Sequence, residues 1–183
     1  MLEELRYNEK KTGFKSEIKF WGADHSINQA PPEPNRWQTK IKIEVILFEK
    51  MLFETQNKSI THQYSDSSKI DSQITCYDLK EIMSEKLRAM IQRSYTAPRD
   101  YYDVWYLSKN CNLDWKEIKE GFFEKMEFKE LVFENTEQFI NQQVEKTLKK
   151  HWKNSLGSHI SVEQLPTSEQ VLKDLKDLLN EIF

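Results

Sequence analysis

Hydrophobic periodicity changes from two residues to about 3.6 near position 75, and that switch fixes the class of fold. Upstream, residues 14–22 (FKSEIKFWG) alternate Phe14, Ser16, Ile18 and Phe20 against Lys15, Glu17 and Lys19. Residues 40–48 (KIKIEVILF) alternate Ile41, Ile43 and Val45 against Lys42 and Glu44. Both patterns predict strands with one apolar face. The stretch between them carries Pro31, Pro32 and Pro34 and predicts a loop, and the polar run 56–72 predicts a second long connection. Downstream the pattern is helical. Asp78 followed by Glu81 reads as a capping box that opens a helix over 79–93. Residues 135–153 place Ile140, Val144, Leu148 and Trp152 at four-residue spacing. The turn-rich 158–169 (SHISVEQLPTSE) leads into a terminal amphipathic helix with Val171, Leu172, Leu175, Leu178 and Leu179. The expectation is an α+β chain, strand-bearing over 1–75 and helical over 76–183, with no internal repeat.

The remaining bulk properties exclude more than they assign. With 183 residues and 22.0 kDa, the chain has the size of one ordinary domain and can bury a core. Charged residues make up 31% and the mean hydropathy is −0.77, but 12% aromatics supply packing material that disordered chains lack. A net charge of −3 and a pI near 5.9 exclude a globally basic nucleic-acid binder and leave room only for a local patch. Cys76 and Cys111 fall in neither a metal-ligand nor a CxxC spacing, which fits reduced thiols. The four histidines, His25, His62, His151 and His159, make no ligand pattern, so zinc is not expected. No apolar run reaches membrane-spanning length and the N-terminus has no signal-peptide pattern, so no membrane association and a cytoplasmic location are expected.

The sharpest anomaly lies in LKEIMSEKLRAMIQR, residues 79–93. At roughly 100° per residue, Lys86 and Arg93 fall on the seam marked by Leu79, Met83 and Met90. A sequestered ammonium without a partner costs several kcal/mol or shifts its pKa, so the position demands an anion. Candidates follow at once in TAPRDYYDVWYL, residues 96–107. Pro98 suits a first helical turn, and Asp100, Asp103, Val104 and Leu107 share one face of the helix it opens. Two helices with charges in their seams enclose either a polar ligand site or a structural ion pair, and spacing alone favours the pair.

The run EKLRAMIQRSYTAPRDYYDVWYL, residues 85–107, resembles the paired C-terminal motifs of the AbiEii/AbiGii nucleotidyltransferase toxins. IKIEV at 41–45, ITCYDLKEIMSEK before the lysine helix, and Trp152 ahead of the terminal helix sit in the matching order, so the likeness covers about residues 38–183. It implies the C-terminal part of a polymerase-β-like nucleotidyltransferase mixed sheet followed by a helical bundle. The implied activity is transfer of a nucleotide from an NTP to an acceptor such as a tRNA 3′ end, with Mg2+, in a type IV toxin–antitoxin system of abortive infection and phage defence. A cognate antitoxin is the implied partner. Carried over by position, Lys86 matches the lysine of the third motif and contacts the NTP phosphates. Asp100 matches the aspartate of the fourth, with Asp103 beside it, and orients Lys86 or the acceptor. Arg93 supports the phosphates or pairs with Asp100. Glu44 stands where a strand-borne acid would serve as a metal carboxylate, although Lys42 on the same face favours a solvated cross-strand pair.

These residue types suit the chemistry, because nucleotidyl transfer gathers negative charge at phosphorus and is driven by carboxylate-held divalent ions plus a cation on the triphosphate. One departure stands against the matches. The family's glycine-rich turn and DxD carboxylate pair have no counterpart: the only glycines are Gly13, Gly22, Gly121 and Gly157, and no DxD occurs. The expectation is therefore a partial nucleotidyltransferase sheet over 1–75 without its catalytic front half, in a truncated or split gene product, a fragment, or a non-catalytic binding remnant. Such a chain should associate with a complementary front-half chain or with itself. The lysines of 146–153 and Trp37, Trp105, Trp115 and Trp152 offer tRNA-binding material, but their spacing favours a helix end and core packing.

Overall fold

The computed structural model describes residues 6–7, 12–21, 28–60 and 72–183. Gly22, His25, His62 and the middle of the expected polar connection, residues 61–71, lie outside the described residues. The chain divides into two compact units, Met1–Lys50 and Met51–Phe183, and its architecture is α+β.

The first unit is a three-stranded antiparallel sheet in the order β1-β2-β3, made of β1 (Arg6–Tyr7), β2 (Gly13–Lys19) and β3 (Lys40–Ile46). Its register follows the alternation in the sequence: Phe14 opposes Val45, Ser16 opposes Ile43, and Ile18 opposes Ile41. These residues line one apolar face, which Tyr7 extends by packing on Phe14 with ring centroids 4.4 Å apart. The opposite face is charged, with Lys40 Nζ 2.8 Å from Glu17 and Lys15 Nζ 3.2 Å from Glu44.

In the second unit, β4 (Gln56–Ser59) and β5 (Gln73–Cys76) form an antiparallel ribbon. Residues 56–59, whose polarity predicts a connection, are instead a strand. QNKS has no apolar alternation, and it is extended because it pairs with β5, where the Thr75 hydroxyl donates to Asn57 Oδ1 at 3.0 Å.

Five helices follow: α1 (Leu79–Gln92), α2 (Pro98–Asn110), α3 (Trp115–Phe128), α4 (Gln142–Leu156) and α5 (Ser168–Ile182). Polar residues stop the orphan amides at most of their starts. Asp78 accepts from the Lys80 N–H at 2.8 Å, Asp114 from Lys116 and Glu117 at 3.1 Å, and Asn141 from Gln143 and Val144 at 3.0 Å. The capping box expected at α1 is only half present, because the Glu81 carboxylate turns away from the cap to other partners.

One continuous core joins the helices. Met83, Leu87, Val104, Ile118, Phe122, Phe139, Leu148, Val171, Leu175 and Leu179 are buried, and Phe122 sits among Phe183, Phe133 and Phe139 at 5.0, 5.4 and 5.6 Å. The four-residue spacing predicts Leu148 and Trp152 of the α4 stripe, which Leu156 extends, although Ile140 precedes the helix, and the terminal apolar pattern predicts Val171, Leu172, Leu175 and Leu179 of α5. Helices α1 and α3 approach closely at Gly121, where an added Cβ would stand 2.7 Å from Ser84 Oγ and 2.9 Å from the Phe53 ring. The Ser84 hydroxyl donates across that contact to the Ile118 carbonyl at 3.1 Å. No helix among the described residues is long and apolar enough to cross a membrane.

Candidate active site

The turn between α1 and α2 sets the geometry of the candidate site. Helix α1 ends at Gln92, so Arg93 is extended and anchored by its N–H to the Ala89 carbonyl at 3.0 Å. Pro98, which has no N–H to leave unpaired, opens α2, and Asp100 occupies its first turn with its own N–H on the Ala97 carbonyl at 3.0 Å. Lys86 lies about two turns before the end of α1, and this brings it back alongside the start of α2.

Four side chains meet there. Lys86 Nζ stands 2.6 Å from Asp103 Oδ2 and 3.4 Å from Asp100 Oδ1, and Arg93 Nη1 donates to Asp100 Oδ2. Asp100 is the deepest of the set, its side chain 8% exposed, against 22% for Lys86, 31% for Asp103 and 39% for Arg93. Two cations therefore balance two carboxylates, with Asp100 shared between them. An ammonium has three donors, and the two acids take two of those on Lys86. Among the described residues nothing takes the third. The lysine sits at the edge of the buried stripe of α1 rather than at its centre, because Met83, Leu87, Arg88 and Met90 turn further inward.

Three further buried charges, Glu81 and Arg88 on α1 and Lys125 on α3, are not singled out by the sequence pattern. Glu81 and Lys125, 3% and 4% exposed, form a buried ion pair at 2.5 Å, and Lys125 also reaches Glu85 at 3.5 Å. The other Glu81 oxygen accepts the backbone N–H groups of Leu52 and Phe53 at 2.9 and 3.0 Å. Burial alone would raise the Glu81 pKa, but Lys125 and the two backbone donors more than offset it and hold the carboxyl below the usual glutamate range. The 5%-exposed Arg88 is bracketed by Glu85 and Gln92 on its own helix. A signal for Lys125 existed, since it falls with Ile118, Phe122 and Met126 on one stripe of α3.

Glu44 belongs to the first unit, half-exposed, with Lys15 as its cross-strand partner. The indole N–H groups of Trp37, Trp105 and Trp152 are spent on the Pro32 carbonyl, Asp174 and the Pro166 carbonyl, each at 2.8 Å. A depression of about 880 Å3 lies by Lys80, Asp114 and Glu117 at the starts of α1 and α3 and holds none of the four site residues. Among the described residues no group of three or more His, Cys, Asp or Glu side chains is placed to hold a metal ion. Asp100 and Asp103 face Lys86 and Arg93, and Glu44 faces Lys15, so each of these three expected acids is paired with a cation.

No curated protein and no solved structure matches the chain. The model of one family does match, over residues 3–174, and so takes in the first sheet as well as the α1–α2 pair, whereas the recognisable motifs begin only near residue 38. The chain belongs to that family, the nucleotidyl transferase AbiEii toxins of type IV toxin–antitoxin systems.

Proposed function

We propose that the chain transfers a nucleotide from an NTP to an acceptor such as a tRNA 3′ end, with Lys86 as the contact to the NTP phosphates. The observation that carries this is the Lys86 ammonium held between Asp103 and Asp100 with one donor unspent among the described residues, in a chain of the AbiEii family. In the reaction, an acceptor hydroxyl oxygen bonds to the α-phosphorus and the bond to pyrophosphate breaks. Charge on the phosphate oxygens rises as this happens, and a preplaced ammonium stabilises it without reorganisation. Asp103, the more exposed acid, gives up its hydrogen bond to an incoming phosphate oxygen. Asp100, anchored by Arg93, stays and positions Lys86.

Family membership also implies a divalent ion and an antitoxin. Because Asp100, Asp103 and Glu44 are each paired with a cation, no step here is routed through the ion. A complementary chain carrying the paired carboxylates is the source this reading favours, and the absence of any DxD motif favours it too. With Mg2+ and an α-labelled NTP, label is expected to move onto tRNA and to be lost in Lys86→Ala and Asp100→Ala. No transfer from any NTP to any tRNA, with the antitoxin removed and a complementary front half supplied, rejects the reading.

The charge balance of the four-residue cluster favours a second reading, a non-catalytic module that binds NTP, RNA or the antitoxin. It requires Lys86→Ala to weaken binding of that ligand while turnover is never seen.

A further inference from the structure

Beside the four charged residues, a pocket of about 230 Å3 opens between the α1–α2 turn and the start of α4. Arg93 and Asp100 form the wall it shares with the Lys86 cluster, and Tyr95, Gln138, Asn141 and Gln143 line the rest that matters here. We infer that this pocket receives the base of the NTP, an inference that rests on the proposed transferase reading and extends it to substrate recognition.

The volume lies below the roughly 300–1,000 Å3 of pockets that bury drug-sized ligands, which suits one heterocycle rather than a whole nucleotide. The lining has the right chemistry. Tyr95 is 66% exposed, and the Arg93 guanidinium lies 5.7 Å from its ring centre, so an aromatic face and a delocalised cation stand together without being buried in the core. Bases stack on both kinds of group. Gln138 and Gln143 contribute side-chain amides, which pair with base edges through a donor and an acceptor. The Gln138 carbonyl oxygen already accepts from the Glu134 N–H at 2.7 Å and its amide nitrogen donates to the Val132 carbonyl at 3.2 Å, so Gln143 is the amide better able to read a base. Among the described residues its side-chain amide meets only the Thr147 hydroxyl, 3.5 Å away along the exposed face of α4.

Position completes the case. Arg93 and Asp100 belong to both the pocket and the charged cluster, so a base seated against Tyr95 directs its sugar and phosphates past Arg93 toward Lys86. A nucleobase here has two sources, the NTP or the last base of the acceptor, and the shared arginine favours the NTP.

Binding of the full-length chain to each of the four NTPs, to inorganic triphosphate and to a cytidine-cytidine-adenosine trinucleotide tests this. At least one NTP is expected to bind more tightly than triphosphate. Tyr95→Ala is expected to weaken that NTP about tenfold, the lower part of the range for losing one stacked base, and to leave triphosphate unchanged. Gln143→Ala is expected to narrow the preference among the four. Both side chains are exposed, so neither change threatens folding. Lys86-dependent triphosphate binding with no gain from any base, or with NTP binding insensitive to Tyr95→Ala, overturns the base pocket and leaves the phosphate contact standing. Tyr95 dependence for the trinucleotide alone overturns the NTP assignment. Triphosphate binding that ignores Lys86→Ala overturns the transferase reading itself.

Discussion

At the residue scale, the two sets of charges around α1 do different work, and burial separates them. Glu81 and Lys125 are almost fully enclosed, so removing one partner leaves the other charged and unmatched in a dry site. Glu81→Gln is expected to lower unfolding free energy by about 3 kcal/mol in urea titration. Lys86 and Asp103 are partly open to water, and Lys86→Ala is expected to cost no more than about 1 kcal/mol. A structural role for Lys86 would reverse that order. Acid titration gives an independent check. The folded Glu81 binds its proton more weakly than its ordinary value of 4.5 implies, so the unfolded chain protonates first. Its contribution is present above about pH 4.5 and is lost as pH falls below that toward the folded value, a loss that Glu81→Gln should remove from the stability profile. The sequence made Lys86 conspicuous because a lysine among methionines breaks the pattern. Glu81 escaped notice because it stands where a capping glutamate belongs.

At the scale of elements, regular patterns were legible and compensated ones were not. The alternation in β2 and β3 gave their pairing faces, and the leucine stripe gave α5. Helix α3 is not announced by its sequence although Ile118, Phe122 and Met126 are four residues apart, since Gly121 and four glutamates within Trp115–Phe128 dilute the apolar signal. Gly121 is there for contact with α1. Gly121→Val is expected to destabilise the chain by about 2 kcal/mol through overpacking, read as a lower denaturant midpoint at unchanged slope. A neutral outcome would mean that α1 and α3 are not so close. The ribbon of β4 and β5 was illegible for another reason: its first strand is held by backbone pairing between polar residues, which leaves no period in the sequence.

At the scale of the whole molecule, the core cluster lies entirely between Met83 and Phe183, and the Glu81 contacts with Leu52 and Phe53 fall within the same unit. A chain beginning at Met51 is therefore expected to unfold cooperatively, with Tm within about 4 °C of the full chain, the equivalent of about 1 kcal/mol. Broad, non-cooperative melting would show that the first sheet completes the core. The division near the end of β3 was not legible, because the change in periodicity comes later, at the start of α1. Family likeness was legible from the α1–α2 motif, while the geometry of that motif required coordinates. The most direct test of Lys86 as a phosphate contact is label transfer from an α-labelled NTP to tRNA by wild type and Lys86→Ala, each with Mg2+ and a complementary front half supplied, compared at equal thermal stability. Wild type is expected to label tRNA and the variant to fall at least about a hundredfold, the effect of losing a transition-state charge contact. Equal labelling by both proteins would contradict the role assigned to Lys86.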